Sequence, residues 1–467
     1  MGAASASAAI VSRNPADPAD EIGAFAPAGG IDVDRAVAAA QRIAPRYAAV
    51  PGQVRADALN RAAGRVEAAA GELADLIRRE VGKPILEARA EVTRTAGVLR
   101  YHAQAALDAD GDTYPSADGR SLLMSRRRPR GVVGLITPWN FPIAIPAWKL
   151  GPALAYGNVC VWKPSPLAPA CAEALLACLL PELPEPAVEL VQGHGDAGAV
   201  LVGHRGVTAV SFTGSIATGS TVARMAVERG ASAQCEMGGQ NASIVLADAD
   251  LESAAGIIAG AAMGYAGQKC TATSRVICEA SVHGAMRDAL VAAVAGMRVE
   301  DPADDACRVG PLITADARDA AVAAVGRGVQ AGGRLLTGGD ALDTAGNYLA
   351  PALVEVDDPA AELAQEEVFA PVCAILRTGD ADAAVALANG VRHGLVTSIF
   401  TRDLDRVLDL VGGLDTGLVR VNQPTSGVDL HTPFGGEKAS GLGPREQGKA
   451  AREFYTSLRT VLISPSC

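Results

Sequence analysis

The sequence predicts an α/β protein in which two parallel-sheet domains face one cleft. Three observations carry that expectation. From Gly131 onward, short β-branched runs end in Gly, Pro, Asn or Ser and lead into helical stretches, the rhythm of a doubly wound sheet, and the series occurs twice. At 467 residues the chain is longer than one core ordinarily serves. Its 49% apolar residues include only 4% aromatic, which suits small-residue helices on a sheet better than an aromatic-rich sandwich.

The elements follow in order. From Asp32 to about Gln104, in "DVDRAVAAAQRIA" and "VRADALNRAAGRVEAAAGELADLIRREVGKP", apolar residues recur every three or four positions. Helices are expected there, with Gly82-Lys83-Pro84 as a stop. "SLLMSRRR" alternates apolar and basic residues as an exposed hairpin strand does, so Arg126–Arg128 reads as a solvated face. The first strand series is "GVVGLITPWNFP", "NVCVWKPSP", "VELVQGHG", "VTAVSFTGS" and "SAQCEMGG". The second is "NASIVLADAD", "TSRVICEA", "APVCAILRT", "TSIFT" and "GLVRVNQ". The final "FYTSLRTVLISP" is one more strand, expected to pair with the early hairpin.

Forty-one basic against 52 acidic residues give a net charge of −11, which argues against nucleic acid or an anionic membrane as the main partner. No secretory signal and no apolar run of membrane-spanning length is expected. Gly2, Ser5, Ala6 and Ser7 resemble a myristoylation signal, but no polybasic stretch follows, so lipidation is not expected. Nine widely spaced cysteines without a CxxC pair predict no metal site and a reducing, cytoplasmic setting.

The residues suited to chemistry fall at strand ends. "FTGSIATG" puts Gly214 and Ser215 at a strand end and Gly219 one turn into a helix, where glycines let a pyrophosphate approach backbone N–H groups. "VWKPSP" ends a strand with Lys163, a charge that suits ribose hydroxyls or a phosphate, or a snorkelling surface position. "PWNFP" holds Asn140 between bulky neighbours, where its amide can donate to a developing oxyanion. "CEMGG" sets Glu236 where a partly apolar cleft would raise its pKa and suit it to act as a general base. Cys270, in "GYAGQKCTATSR", lies among small and polar residues, whereas most other cysteines sit in apolar runs. It is the candidate nucleophile, and no histidine lies near it in sequence. Each signal is weak alone and more often structural than functional; their joint occurrence is what gives them weight.

The chain resembles the aldehyde dehydrogenase superfamily from about Asn14 to Val461, on "ITPWNFP", "KPS", "FTGS…G", "EMGGQN", "GQKCTA", "EEVFAPV" and "PFGGEKASG", all collinear. The resemblance implies a Rossmann-like cofactor domain (1–108 and 130–238), an α/β catalytic domain (239–438) and a small β oligomerisation flap (109–129 and 439–467). It implies a homodimer or homotetramer. Cys270 would attack an aldehyde, Asn140 and the Cys270 amide would hold the oxyanion, and Glu236 would activate the water that hydrolyses the thioester. Lys163 would meet the adenine ribose, Ser215 a phosphate, Glu367 the nicotinamide ribose and Phe369 the nicotinamide. Thr137, Trp139, Ser165, Pro166, Gly214 and Gly219 complete the implied cofactor site. Glu236 favours release of a free acid over transfer to coenzyme A. Retention of Cys270, Glu236 and Asn140 argues against a non-catalytic scaffold, and the cofactor motifs argue against a cofactor-free esterase.

Departures from the family pattern refine this. Pro166 stands where the family often has an acid; a like charge about 4 Å from a 2′-phosphate costs about 4 kcal/mol at an effective dielectric near 20, so its absence admits NADP beside NAD, with NADP preferred. Gln240 replaces a common lysine, and Pro444 is an addition in "SGLGPREQG". "NFPIAIPAWKLGPALAYGN", "NQPTSGVDLHTPFGG", "GPREQG" and "EFYTSLRTV" are most similar to the branch acting on 2,5-dioxopentanoate. Trp148, eight residues after Asn140, occupies the position of an arginine often found in succinate-semialdehyde enzymes. Trp148, Thr271, Thr425 and His431 are the expected substrate lining, with no arginine identifiable. Other small carboxylated, phosphonylated or aromatic aldehydes are the alternatives.

Overall fold

The computed structural model describes residues 9–465; the myristoylation-like pattern at the N-terminus lies outside the described residues. The expected helical stretch folds as Gly30–Ala48, Gly52–Ala68, Ala70–Val81 and Ile85–Ala105. Gly82 ends the third of these in the left-handed region at φ 66°. A side chain there would be strained and crowded, since a Cβ would come within 2.7 Å of Pro311 and 2.9 Å of Pro15.

The first α/β series forms a six-stranded sheet in the order Gly441–Leu442, Ser232–Met237, Ala209–Gly214, Val132–Ile136, Val159–Lys163, Val188–Leu190. All neighbours are parallel except Gly441–Leu442, which runs antiparallel to Ser232–Met237. Strand order reverses between Val132–Ile136 and Ala209–Gly214, and that switch point leaves a crevice beyond the strands' carboxyl ends. Val133, Leu135, Val161, Trp162 and Val210 pack the core beneath it, buried on both faces as parallel strands require.

The second sheet has seven strands: Arg334–Thr337, Ala352–Glu355, Val372–Thr378, Thr273–Glu279, Asn241–Val245, Val396–Phe400, Leu418–Val421. The expected strands are all present. The edge pair Arg334–Thr337 and Ala352–Glu355 and the hairpin Ile10–Asn14 with Asp17–Phe25 were not foreseen. Those strands carry charge, proline or few β-branched residues and draw their order from pairing rather than propensity.

Thr456–Ile463 pairs antiparallel with Leu122–Pro129 over its whole length, and Thr113–Tyr114 adds a short third strand. This is the expected union of hairpin and final strand. Arg126 and Arg128 are exposed, but Arg127 turns inward to Glu453 and Thr456. Of the described residues 439–465, Thr456–Ile463 joins this small sheet, while Phe454 and Tyr455 sit in the first core. Among the described residues, no helix is long and apolar enough to cross a membrane.

Candidate active site

The two sheets meet the cleft with opposite ends. The first presents its carboxyl ends, as anticipated. The second presents the segments entering its strands: Gly238-Gly239 before Asn241–Val245, Cys270 before Thr273–Glu279, and Glu367 to Phe369 before Val372–Thr378. The chain leaves the first sheet at Glu236 and crosses directly into the second.

Cys270, Glu236, Thr271, Trp148 and His431 line one cleft of about 940 Å³. Cys270 keeps intermediate exposure, yet its thiol is pushed up to about 12. Burial is the main cause, and the Glu367 and Glu236 carboxylates add repulsion, against which its own backbone N–H works weakly. Lys269 offers no help, because its ammonium pairs with Glu87 at 2.7 Å.

The loop before the thiol is unusual. Tyr265, Ala266 and Gly267 are consecutively left-handed, with φ of 54°, 52° and 66°. For the first two residues that costs on the order of 1–2 kcal/mol each. Buried Gln268 secures the loop, its amide donating to the Tyr265 and Pro311 carbonyls and accepting from the Ile313 N–H. Asn140 Nδ2 donates to the Gln268 carbonyl at 2.9 Å, which fixes the amide and leaves its second N–H. Asn241 Nδ2 donates to the Cys270 carbonyl at 2.8 Å. Neither Gln268 nor Asn241 was singled out from sequence, although both lie inside the motifs.

Glu236 is buried, and its Oε2 accepts the Gly436 N–H at 3.1 Å. Its pKa lies well above the carboxylate range, chiefly through burial and then through Glu446. Glu446 itself pairs with fully buried Lys149, whose Nζ also donates to Ser211 Oγ at 2.8 Å. Pro444, the added proline, offers its carbonyl to Gln234 Nε2 at 2.8 Å beside this network. Gln240 in place of lysine donates to the Leu363 carbonyl, while its own carbonyl receives buried Arg275.

The residues expected to meet a cofactor stand at strand ends and a helix start of the first sheet and in the segment entering the strand Val372–Thr378 of the second. Ser215 caps the helix Ile216–Glu228, its Oγ accepting the Thr218 N–H. Gly219 packs so closely that a Cβ would lie 2.4 Å from Met237 Sδ. Gly214 is similarly crowded by the Phe212 ring. Thr137 accepts the Trp162 indole N–H at 2.9 Å. Lys163 is buried, bonds only the Pro164 carbonyl and is pushed down to about 8 by burial, with Asp196 opposing. Ser165 and Pro166 follow it at half-buried positions. Glu367 accepts the Gly239 N–H at 3.2 Å and is pushed up to about 7 by burial. Phe369, left-handed at φ 56°, meets Trp139 edge to face at 5.9 Å. A capped helix N-terminus, close-packed glycines and an under-partnered buried ammonium fit a dinucleotide.

Thr425 is buried, its hydroxyl bonded to Thr273 Oγ1 at 2.8 Å, and the neighbouring Ser426 to Leu430 line the cleft. Arg94 was missed. It lines the cleft from the helix Ile85–Ala105, on one face with Glu87, Ala90, Glu91 and Gly97. That i, i+3, i+4 spacing was legible, but nothing in sequence said which face met the cleft. One Arg94 nitrogen donates to the Val428 carbonyl, and burial lowers its pKa.

A half-exposed thiol in a cleft beside strand ends that fit a dinucleotide is an arrangement suited to an oxidoreductase. Residues 3–461 match the aldehyde dehydrogenase family, and the chain belongs to it: this is an NAD(P)-dependent aldehyde dehydrogenase. It is 39% identical to the alpha-ketoglutaric semialdehyde dehydrogenase of Bacillus subtilis (strain 168), covering 97% of this chain and 94% of that protein. It is 35% identical to the 2,5-dioxopentanoate dehydrogenase of Saccharolobus solfataricus, covering 92% and 91%. Among solved structures, PnpE with nicotinamide adenine dinucleotide superposes with a TM-score of 0.95 at 34% identity, covering all of this chain and 96% of that one. HpcC from Thermus thermophilus gives 0.94 at 35% identity, covering 98% and 91%.

Proposed function

We propose that this enzyme oxidises 2,5-dioxopentanoate, or a closely similar short aldehyde acid, to the dicarboxylate. The observation that carries this reading is Arg94, a guanidinium in the same cleft as Cys270 with nitrogens left for an anion. Glu87 is paired with Lys269, Glu91 with Lys83 and Glu446 with Lys149, while Asp429, in the same cleft, is the acid whose charge acts most on Arg94 without forming an ion pair with it. The names of the relatives above point the same way.

In this reading Cys270 Sγ attacks the aldehyde carbon, and the free Asn140 N–H with the Cys270 amide holds the oxyanion. The dinucleotide, when bound, accepts the hydride. Lys163, Ser215, Gly214, Gly219, Glu367 and Phe369 would hold it, with Thr137, Trp139, Ser165 and Pro166 shaping the crevice. Water then cleaves the Cys270 thioester, and Glu236, once ionised, is basic enough to take the water's proton. Pro166 in place of an acid supports a preference for NADP, while Asp196 near Lys163 is the counterweight. Domain limits at 1–108 with 130–238, 239–438, and 109–129 with 439–467 are part of the proposal, as is self-association through the flap. A nucleophile that oxidation would silence supports a reducing, cytoplasmic compartment.

An aldehyde panel ranked by kcat/KM with both cofactors tests the substrate. 2,5-Dioxopentanoate should lead, and Arg94→Leu should raise its KM roughly tenfold or more while sparing neutral aldehydes. Neutral or aromatic aldehydes well ahead of it would overturn the reading. Glu236→Gln should slow turnover roughly a hundredfold and leave a thioester on Cys270 visible by mass spectrometry.

A further inference from the structure

The buried pair Lys83–Glu91 has no part in the chemistry above, yet it touches both halves of the site. Lys83 is fully buried and Glu91 3% exposed, and the two are in direct contact. Glu91 Oε1 accepts the N–H groups of Ile143 at 3.1 Å and Ala144 at 3.0 Å, just past the Asn140 turn. Lys83 Nζ stands 3.8 Å from the Phe141 ring centroid and 4.6 Å from that of Tyr265. These two rings meet edge to face at 6.4 Å. Phe141 is the neighbour of Asn140. Tyr265 opens the left-handed run leading to Gln268 and Cys270, and its hydroxyl is anchored on the Val81 carbonyl, just before Lys83.

Packing alone does not call for charges here, because apolar residues of similar volume commonly stabilise a buried site as well as an ion pair does. Charge does add direction. An ammonium between two ring faces holds both, and a carboxylate bonded to two successive backbone N–H groups fixes where the next helix starts. The Asn140 turn and the Cys270 loop are thereby referred to one point.

We propose that Lys83 and Glu91 are positioning residues that set the Asn140 amide against the Cys270 thiol. The proposal rests on Asn140 as oxyanion donor and Cys270 as nucleophile. The test is single-turnover acylation of the full-length enzyme by 4-nitrophenyl acetate, which needs no cofactor. Lys83→Met combined with Glu91→Gln removes both charges but keeps volume and an acceptor for the Ile143 and Ala144 N–H groups. Acylation should slow roughly ten- to hundredfold, with cofactor Kd unchanged. In an Asn140→Ala background the same pair should add no more than about twofold, because the residues act through Asn140. Acylation at the parental rate, or an equal slowing in both backgrounds, would overturn the proposal. Should the double variant fail to fold, Phe141→Leu removes one ring contact and leaves the ion pair: slowed acylation that vanishes in Asn140→Ala supports the proposal, and the parental rate overturns it. Asn140→Ala acylating at the parental rate would instead sink the site assignment itself.

Discussion

Cys270 illustrates how far a single residue's surroundings alter its chemistry. With its thiol near 12 and the Glu367 and Glu236 carboxylates close by, the resting protein holds it protonated at neutral pH. Raising pH through a pKa lifted in this way increases the thiolate, so alkylation of Cys270 by iodoacetamide should climb about tenfold per pH unit between neutrality and the thiol's pKa. Oxidised cofactor at fixed pH should accelerate it, since the nicotinamide cation opposes the carboxylates that suppress ionisation. Mass spectrometry of the Cys270 peptide, with Cys270→Ala as blank, reads both effects. Alkylation insensitive to cofactor would show that burial alone sets the thiol's state.

At the scale of elements, contacts between helices hold the catalytic turn. The helix Ile85–Ala105 packs on Ala144–Ala155, where His102 sits against Gly151 so tightly that a Cβ there would lie 3.0 Å from the ring. Burial pushes His102 down to about 3 from an ordinary 6.5. As pH falls below 6.5 the unfolded chain takes up a proton that the folded form refuses until about pH 3, so stability is lost progressively across that window. His102→Leu should flatten the acid side of a Tm-against-pH profile relative to the parent. An unchanged profile would place the acid sensitivity elsewhere. A second element is the crossing at Gly238, where a Cβ would fall 1.9 Å from Glu367 Oε2. Gly238→Ala should therefore displace Glu367 and raise the cofactor KM, measurable without loss of fold.

The whole molecule ends in an open edge. Thr456–Ile463 pairs on one side only among the described residues and exposes Leu458 and Leu462, at 58% and 63%. An open strand edge with exposed leucines is ordinarily covered, and a second copy of the chain is the proposed cover. Leu458→Lys with Leu462→Lys should lower the mass seen by light scattering. A parental mass in that variant would move the interface to another face.

Much of the fold was legible without coordinates. Cys270, Glu236 and Asn140 and the βα turns at Lys163 and Ser215 stand in local signals of strand end, glycine and rigid neighbour, and local signals survive in sequence. The late strand was expected to pair with the early hairpin, and it does. Other features required three dimensions. Lys149 and Glu446 are partners distant in sequence, while Glu91 against Lys83 and Arg94 in the cleft depend on a helix face whose orientation only packing selects. Thr425 read as lining because its loop does line the cleft, yet its hydroxyl turned inward to Thr273. The sequence by itself determined which groups can react, because reactivity begins with residue type. The tertiary structure decided their protonation and aim, because burial and charge act through space.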